Sequence, residues 1–295
     1  MSVLLAVALG LLIGLSLGAL GGGGSILTVP ALVYAIGESA QAATTGSLVI
    51  VGITAAAATV GHARAGRVRW GAGLAFGAAG VLASLLATRL NAQVSPTALL
   101  ACFAVLMIVA AAAMLAKTMV PARPSELADD EQAARLRSLA HVGRGDCGTQ
   151  RAAASPGPAP ADAPARPGGR PSAGTALKVV AAGLVVGFLT GFLGVGGGFI
   201  IVPALVLSLG YDMPTAVGTS LLVISLNSGV ALLARGGHET FHWAVIVPFT
   251  LAAIAGSTAG KRVADRLSGA SLTRAFAVLL LLVAAYVLTR ALLGA

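Results

Sequence analysis

Apolar residues in this chain come in long blocks separated by short polar breaks. Residues 3–20, 98–116 and 275–288 contain no charge at all, and the first two blocks reach the roughly 18 residues that carry a helix across a bilayer. In the N-terminal part five apolar segments follow one another, at 3–20, 26–36, 46–60, 70–88 and 98–116, and the C-terminal part contains five more. The second segment is short. Its eleven residues rise only about 16 Å as a helix, roughly half of a 30 Å hydrocarbon core. The pattern predicts an all-α polytopic membrane protein with about eight to ten crossings, each half holding about four full spans and one short, broken helix.

Between the two apolar parts the composition changes. Residues 118–175 hold eight of the thirteen prolines and the acidic cluster Glu126, Asp129, Asp130 and Glu131. The later part of this stretch has almost no bulky apolar side chain, so it cannot bury enough surface to offset chain entropy. We read it as a disordered cytoplasmic linker with room for one short amphipathic helix over 129–139, joining membrane half 1 (residues 1–117) to membrane half 2 (176–295).

The halves repeat one another. At a shift of 173 residues, positions 14–90 align without a gap to 187–263, with 21 of 77 identical. The identities concentrate in residues 14–33 against 187–206 and include glycine, proline and tryptophan, with Gly21, Gly23, Gly24, Pro30 and Trp70 against Gly194, Gly196, Gly197, Pro203 and Trp243. Shared apolar composition would scatter the matches instead, so the repeat points to a duplicated structural unit. It also bears on the N-terminus: the first apolar block has the look of a signal sequence, but it lacks a basic start and its copy lies deep in the chain, so we expect retained structure.

Loop charge then separates two topologies. Arg64, Arg67 and Arg69 lie between the third and fourth segments of the first half, with Arg89 after the fourth; in the second half Arg235 occupies the former place, and Lys261, Arg262 and Arg266 the latter. Inverted copies put six of these eight charges on one side and parallel copies four. The positive-inside rule favours an inverted repeat with a cytoplasmic linker and both termini outside.

Composition sharpens this picture. Apolar residues make up 57% of the 295 and charged residues 10%, against about 25% charged in a soluble domain. The net charge of +9 would raise nucleic acid as a partner of a soluble chain; here orienting loops explain it, and we expect no nucleic acid. Cys102 and Cys147 give neither a disulfide framework nor a metal cage.

Candidate chemistry lies where the apolar blocks are broken. Gly21, Gly22, Gly23, Gly24 and Ser25, like Gly194, Gly196, Gly197 and Gly198, sit between a long apolar helix and a short one containing Pro30 or Pro203. Unpaired backbone amides are tolerated at membrane depth only when buried in protein or lining a cavity. At the start of a half helix they face the break together with the positive end of the helix dipole, which suits an anion. Inverted copies bring two such ends together near the midplane. Gly10, Gly14 and Gly18, with Gly183, Gly187 and Gly191, have instead the four-residue spacing of close helix packing.

Further candidate ligands open the third segment of each half: Thr45 and Ser47 in the first, Thr219 and Ser220 in the second, where hydroxyls and helix-start amides coincide, or where they simply cap the helix. Asn227, inside an apolar segment, offers an amide to an oxyanion or to a neighbouring helix. Acids are scarce: outside the linker only Glu38, Asp212, Glu239 and Asp265 occur, all expected in loops. That disfavours an embedded cation site or proton relay. Glu38 and Asp212, one position apart in the repeat, are solvated loop residues on this reading, or a gate near one mouth.

His238, Glu239 and His242 fit the zinc-protease spacing, which makes an intramembrane metalloprotease one alternative. The match follows two glycines in an expected loop and lacks a third ligand, so we expect no enzyme, metal or cofactor. A membrane scaffold or assembly factor acting through the linker is a second alternative.

The doubled glycine-proline motif (Gly21 to Pro30, Gly194 to Pro203), the cluster from Gly218 to Leu221 and the tryptophan opening each fourth segment resemble the TauE/SafE sulfite-exporter family over nearly all of both halves. The resemblance implies a permease of the bacterial plasma membrane for small sulfur-containing anions such as sulfite or organosulfonates, without ATP or a bound cofactor. The long Pro-rich insert departs from the family's short linker, and Thr45-Gly46 stands against Gly218-Thr219 where the repeat loses its symmetry.

Overall fold

A computed structural model of the chain describes residues 2–91, 96–119, 173–193, 198–234 and 242–293. The first half contributes α1 (Ser2–Leu20), α2 (Gly23–Pro30) with a π-helical continuation (Ala31–Ile36), α3 (Ala40–Arg64), α4 (Trp70–Asn91) and α5 (Pro96–Met119). From the second come α6 (Ala173–Leu193), α7 (Gly198–Ser208), α8 (Met213–Ala234), α9 (Trp243–Arg266) and α10 (Gly269–Leu293). The all-helical, multi-pass architecture stands, with five helices among the described residues long and apolar enough to cross a membrane and shorter apolar helices beside them. Most of the stretch between the halves, including the helix expected over 129–139, lies outside the described residues.

Local sequence accounts for the element ends. Proline has no amide hydrogen to give to the preceding turn, and at Pro30 the winding changes from α to π. Both short helices stop at a glycine with positive φ, Gly37 at 83° and Gly210 at 67°, positions 173 apart. The residue after each returns its amide to the same place: Glu38 N donates to Leu32 O at 3.0 Å and Tyr211 N to Leu205 O at 3.2 Å. This is the glycine-terminated helix end in which a left-handed residue turns the chain back onto orphan carbonyls.

The third helix starts earlier than the apolar pattern indicates. Ser39, in extended conformation, accepts from Ala42 N at 3.2 Å and caps α3; Asp212 does the same for α8, accepting from Thr215 N at 3.3 Å. Thr45 and Ser47, like Thr219 and Ser220, therefore lie inside helices, and their amides are already within the helical hydrogen-bond ladder. The expectation that helix-start amides are free at these positions is corrected.

Helix directions follow from close approaches of glycine. Gly10, Gly14 and Gly18 of α1 meet Phe249, Ala253 and Ser257 of α9 in ascending order; Gly183, Gly187 and Gly191 of α6 meet Phe76, Gly80 and Ser84 of α4. Each contact of the second set is related to one of the first by 173 residues. These glycines are packing residues, as their spacing predicts: without a side chain the helix backbones touch. Both pairs are parallel. Gly46 meets Ile246 and Gly61 meets Lys261, so α3 is parallel to α9 as well. By contrast Gly52 meets Ser228 while Gly218 meets His62 and Arg67, so the equivalent helices α3 and α8 run antiparallel. Since α1 and α3 share one direction, the chain returns between them through α2 and its π-helical continuation.

The core lies around α7, every residue of which from Gly198 to Pro203 is buried along with Leu205 and Val206. Phe199 meets Phe103 of α5 edge to face, ring centroids 5.0 Å apart. Outward-facing leucines such as Leu82, Leu233 and Leu251 remain exposed, the distribution expected when the surrounding solvent is lipid.

Candidate functional site

The glycine break of the first half meets the start of the second half's short helix. Gly21, with φ of 74°, turns the chain from α1 into α2, and a Cβ placed on it would lie 2.6 Å from Ser220 Oγ. A Cβ on Gly22 would collide with the Gly198 carbonyl and lie 2.7 Å from Phe199 Cα; one on Gly198 would lie 2.5 Å from Ser25 Oγ. The first turns of α2 and α7, each the start of a short helix, are thus in contact, with α8 completing the junction. Ser25 and Gly198 are equivalent positions of the two halves, and they touch. Gly21, Ser25, Gly198 and Ser220 are brought together.

Other candidates are placed differently. Gly23 faces Leu279 of α10 and Gly24 packs against Ile13 and Leu17 of α1. Thr45 and Ser47 are buried on α3; Gly46 between them faces Ile246 and Leu32. Thr219 accepts from Arg69 N at 3.2 Å and so ties α8 to the α3–α4 connection. Asn227 lies two turns along α8 from Ser220, near Gly77 of α4, with a buried Oδ1 that has no hydrogen-bond partner among the described residues. Pro30 and Pro203 sit inside the two short helices. Gly194, Gly196 and Gly197 lie outside the described residues.

Hydroxyl hydrogens at the junction are held by their own helices. Ser25 donates to Gly22 O at 2.7 Å and Ser220 to Val217 O at 2.8 Å; away from the junction, Ser47 likewise donates to Thr44 O at 2.8 Å. The junction is close-packed in this arrangement, with glycine backbone against glycine backbone. Any ligand there requires the two halves to separate and the serines to rotate.

Charge gathers at one end of the bundle. Where α3 and α9 end together, Asp265 pairs with Arg67 and, at 2.9 Å, with Lys261. Beside this pair Arg64, Lys261 and Arg262 line a crevice of about 390 Å³ between α3 and α9. The two loop regions that the positive-inside argument grouped are therefore neighbours in space. Asp265 itself is on α9, which corrects the expectation of a loop acid.

Glu38 is at the opposite end, where α3 and α9 begin, and its carboxylate lies 2.8 Å from His242 Nδ1. With its side chain only 11% exposed, Glu38 is not the solvated loop residue expected, whereas Asp212 is exposed. Because α3 and α8 are antiparallel, these two acids stand at opposite ends and cannot share a mouth. His238 and Glu239 lie outside the described residues, and among those described no group of three or more His, Cys, Asp or Glu could hold a metal ion.

Two interactions were not legible in the sequence. Lys117 of α5 donates to Val206 O at 2.8 Å, placing a cation at the carbonyl end of α7 where the dipole favours it. His62 of α3 is 1% exposed, with Nε2 3.2 Å from Gly18 O, directly below the break.

Comparison with known proteins agrees with this architecture. The sulfite exporter TauE/SafE family matches residues 6–287. Among curated proteins, probable membrane transporter proteins of Xylella fastidiosa strains Temecula1 and 9a5c are each 28% identical over 292 residues, covering 98% of this chain and 96% of the relative. No solved structure matches the chain. With ten described helices, a glycine break in the first half meeting the short helix of the second, and a family match spanning nearly its whole length, the chain is a membrane transporter that belongs to the sulfite exporter TauE/SafE family.

Proposed function

We propose that this transporter moves small sulfur-containing oxyanions, sulfite or organosulfonates, across the bacterial plasma membrane by alternating access, and that the anion binds where the starts of α2 and α7 face each other. The observation that carries the reading is the contact between Gly22 and Gly198: two helix N-termini, each with a positive dipole end, converge from the two halves. Antiparallel α3 and α8 and the repeated glycine contacts support an inverted repeat, whose halves rock about this junction. Ser25 and Ser220 supply hydroxyls once they turn from their own carbonyls. Gly21 brings the backbone close to Ser220 at the junction, Gly23, Gly24, Gly194, Gly196 and Gly197 belong to the same glycine motifs, and Thr45, Ser47, Thr219 and Asn227 form an outer set of polar groups along α3 and α8.

Arg64, Lys261 and Arg262 at the crevice make the end we assign to the cytoplasm attractive to an incoming anion. The membrane potential suffices as the driving force. At about 2.3 kcal/mol per charge per 100 mV, a dianion leaving a negative interior gains roughly 4.6 kcal/mol, about three decades of concentration ratio. The test is efflux from a bacterial strain lacking its own sulfite exporter, expressing this chain and loaded with sulfite, an alkylsulfonate or a carboxylate of similar size. Faster efflux of the sulfur anions alone is expected. Equal efflux of the carboxylate, or no efflux of any anion, refutes the reading.

A further inference from the structure

His62 is the one ionisable side chain of the described α1, α3 and α8 that is fully buried within the bundle. Its ring lies between the glycine break and the basic crevice: Nε2 is 3.2 Å from the carbonyl oxygen of Gly18, three residues before Gly21. A carbonyl only accepts, so Nε2 carries the hydrogen and the neutral ring presents a lone pair at Nδ1. That Nδ1 is buried and has no hydrogen-bond partner among the described residues. On its other side the residue abuts α8, where a Cβ on Gly218 would lie 3.2 Å from His62 Cβ, next to Thr219 and Ser220.

The charges around the ring are few and can be named. Arg67 follows it on the α3–α4 connection, Lys261 and Asp265 face it from α9, and Arg67 and Lys261 both pair with Asp265. Neither α1 nor α8, the other helices against it, contains a titratable residue. Two cations and one anion leave a net positive charge beside the ring. A proton on Nδ1 adds another positive charge and creates a buried N–H donor with no acceptor, at the cost of an unsatisfied charged group. An oxyanion supplies both the acceptor and the balancing charge.

We propose that His62 is a linked proton and oxyanion site at the inner side of the anion path: a solvent proton bonds to the Nδ1 lone pair as the anion arrives, and each stabilises the other. The reciprocity is required by linkage, since an anion that favours the protonated ring must itself be favoured by low pH. The inference rests on the anion-transporter reading and adds to it that protons move with the anion, so that a dianion leaving with one proton carries one net negative charge and still follows the potential, at about 2.3 kcal/mol per 100 mV.

Sulfite itself exchanges protons near neutral pH, so the test uses methanesulfonate and sulfate, which stay ionised throughout. In the full chain with ¹⁵N-labelled histidine, the His62 resonances are identified by their absence in His62→Gln. Adding either anion at fixed pH is expected to move them from the neutral ring, protonated at Nε2, to the doubly protonated form. If neither anion does so, the proposal is overturned. In liposomes at clamped potential, wild-type methanesulfonate flux is expected to fall with rising pH and to acidify the receiving compartment. His62→Gln, whose amide still reaches Gly18 O, is expected to lose the proton movement and the pH dependence, so that the methanesulfonate flux it retains moves net charge and follows the potential. Unchanged proton movement in His62→Gln overturns the proposal and leaves the transporter reading standing; absence of methanesulfonate and sulfite flux in the wild type overturns both.

Discussion

Gly14, Gly18, Gly187 and Gly191 each stand against a backbone carbonyl of the neighbouring helix, at separations that leave no room for a methyl group. Gly187→Ala is expected to lower stability by about 1–3 kcal/mol, the range for overpacking a tight interface, read as a fall in the thermal unfolding midpoint in detergent. Gly229→Ala is the control: it is inside α8 with nothing within 4 Å, and is expected to raise the midpoint, since alanine gains about 0.5–1 kcal/mol over glycine in a helix. The side chains of Arg67 and Asp265 are 30% and 32% exposed, so a double-mutant cycle is expected to give a coupling of at most about 1 kcal/mol. The packing glycines were readable in the sequence because glycine recurring every four residues of an apolar block leaves a groove shaped for another helix backbone. His62 was not. The apolar run stops at Val60, so hydropathy puts His62 with the arginines of the following loop, whereas the helix continues to Arg64 and buries it. Arg67 and Asp265 are 198 residues apart, and no single sequence reveals such a pair.

The short helices depend on their ends. Gly37 has φ of 83°, and a Cβ placed on it would meet nothing within 4 Å, so only backbone conformation restricts it; Gly37→Ala is expected to cost about 1 kcal/mol. Ser39→Ala removes the cap of α3 and is expected to cost a similar amount, about 1 kcal/mol. Hydrogen exchange at residues 40–44 distinguishes them, because loss of the cap speeds exchange in the first turn of α3 while the glycine change acts on the end of the preceding helix. The existence and order of the helices were legible, since each is an apolar block bounded by Gly, Pro or charge. Their starts were less so: Ala40, Gln41 and Ala42 are only weakly apolar, and it is the Ser39 hydroxyl rather than hydropathy that begins α3. The same displacement, from Gly46 back to Ala40, moved Thr45 and Ser47 from a helix start into its interior and removed their amides from the candidate site.

At the scale of the whole molecule, the two halves exchange their first helices: α1 packs on α9 and α6 on α4, and the short helices α2 and α7 meet between them. Antiparallel α3 and α8 require the like ends of these equivalent helices to face opposite sides of the membrane. In a chain with Cys102 and Cys147 replaced, cysteine at Ser39 is expected to react with an impermeant thiol reagent from outside and cysteine at Ser268 only from inside; labelling of both from one side contradicts the inverted arrangement. Loop charge pointed to this arrangement because basic residues of two distant loops had to share a side, and Arg64 of one meets Lys261 and Arg262 of the other in a single crevice. The repeat pointed to the glycine motifs on either side of this junction, but its close packing depends on contacts between the halves that no single-sequence pattern specifies. Its role is tested most directly in liposomes containing the purified wild type or Gly22→Ala, loaded with sulfite and given an imposed potential. The expected result is sulfite flux that follows the sign and size of the potential in the wild type and is lost in Gly22→Ala while the variant remains folded. Full flux through Gly22→Ala, or wild-type flux indifferent to the potential, would contradict an anion path through the paired helix starts.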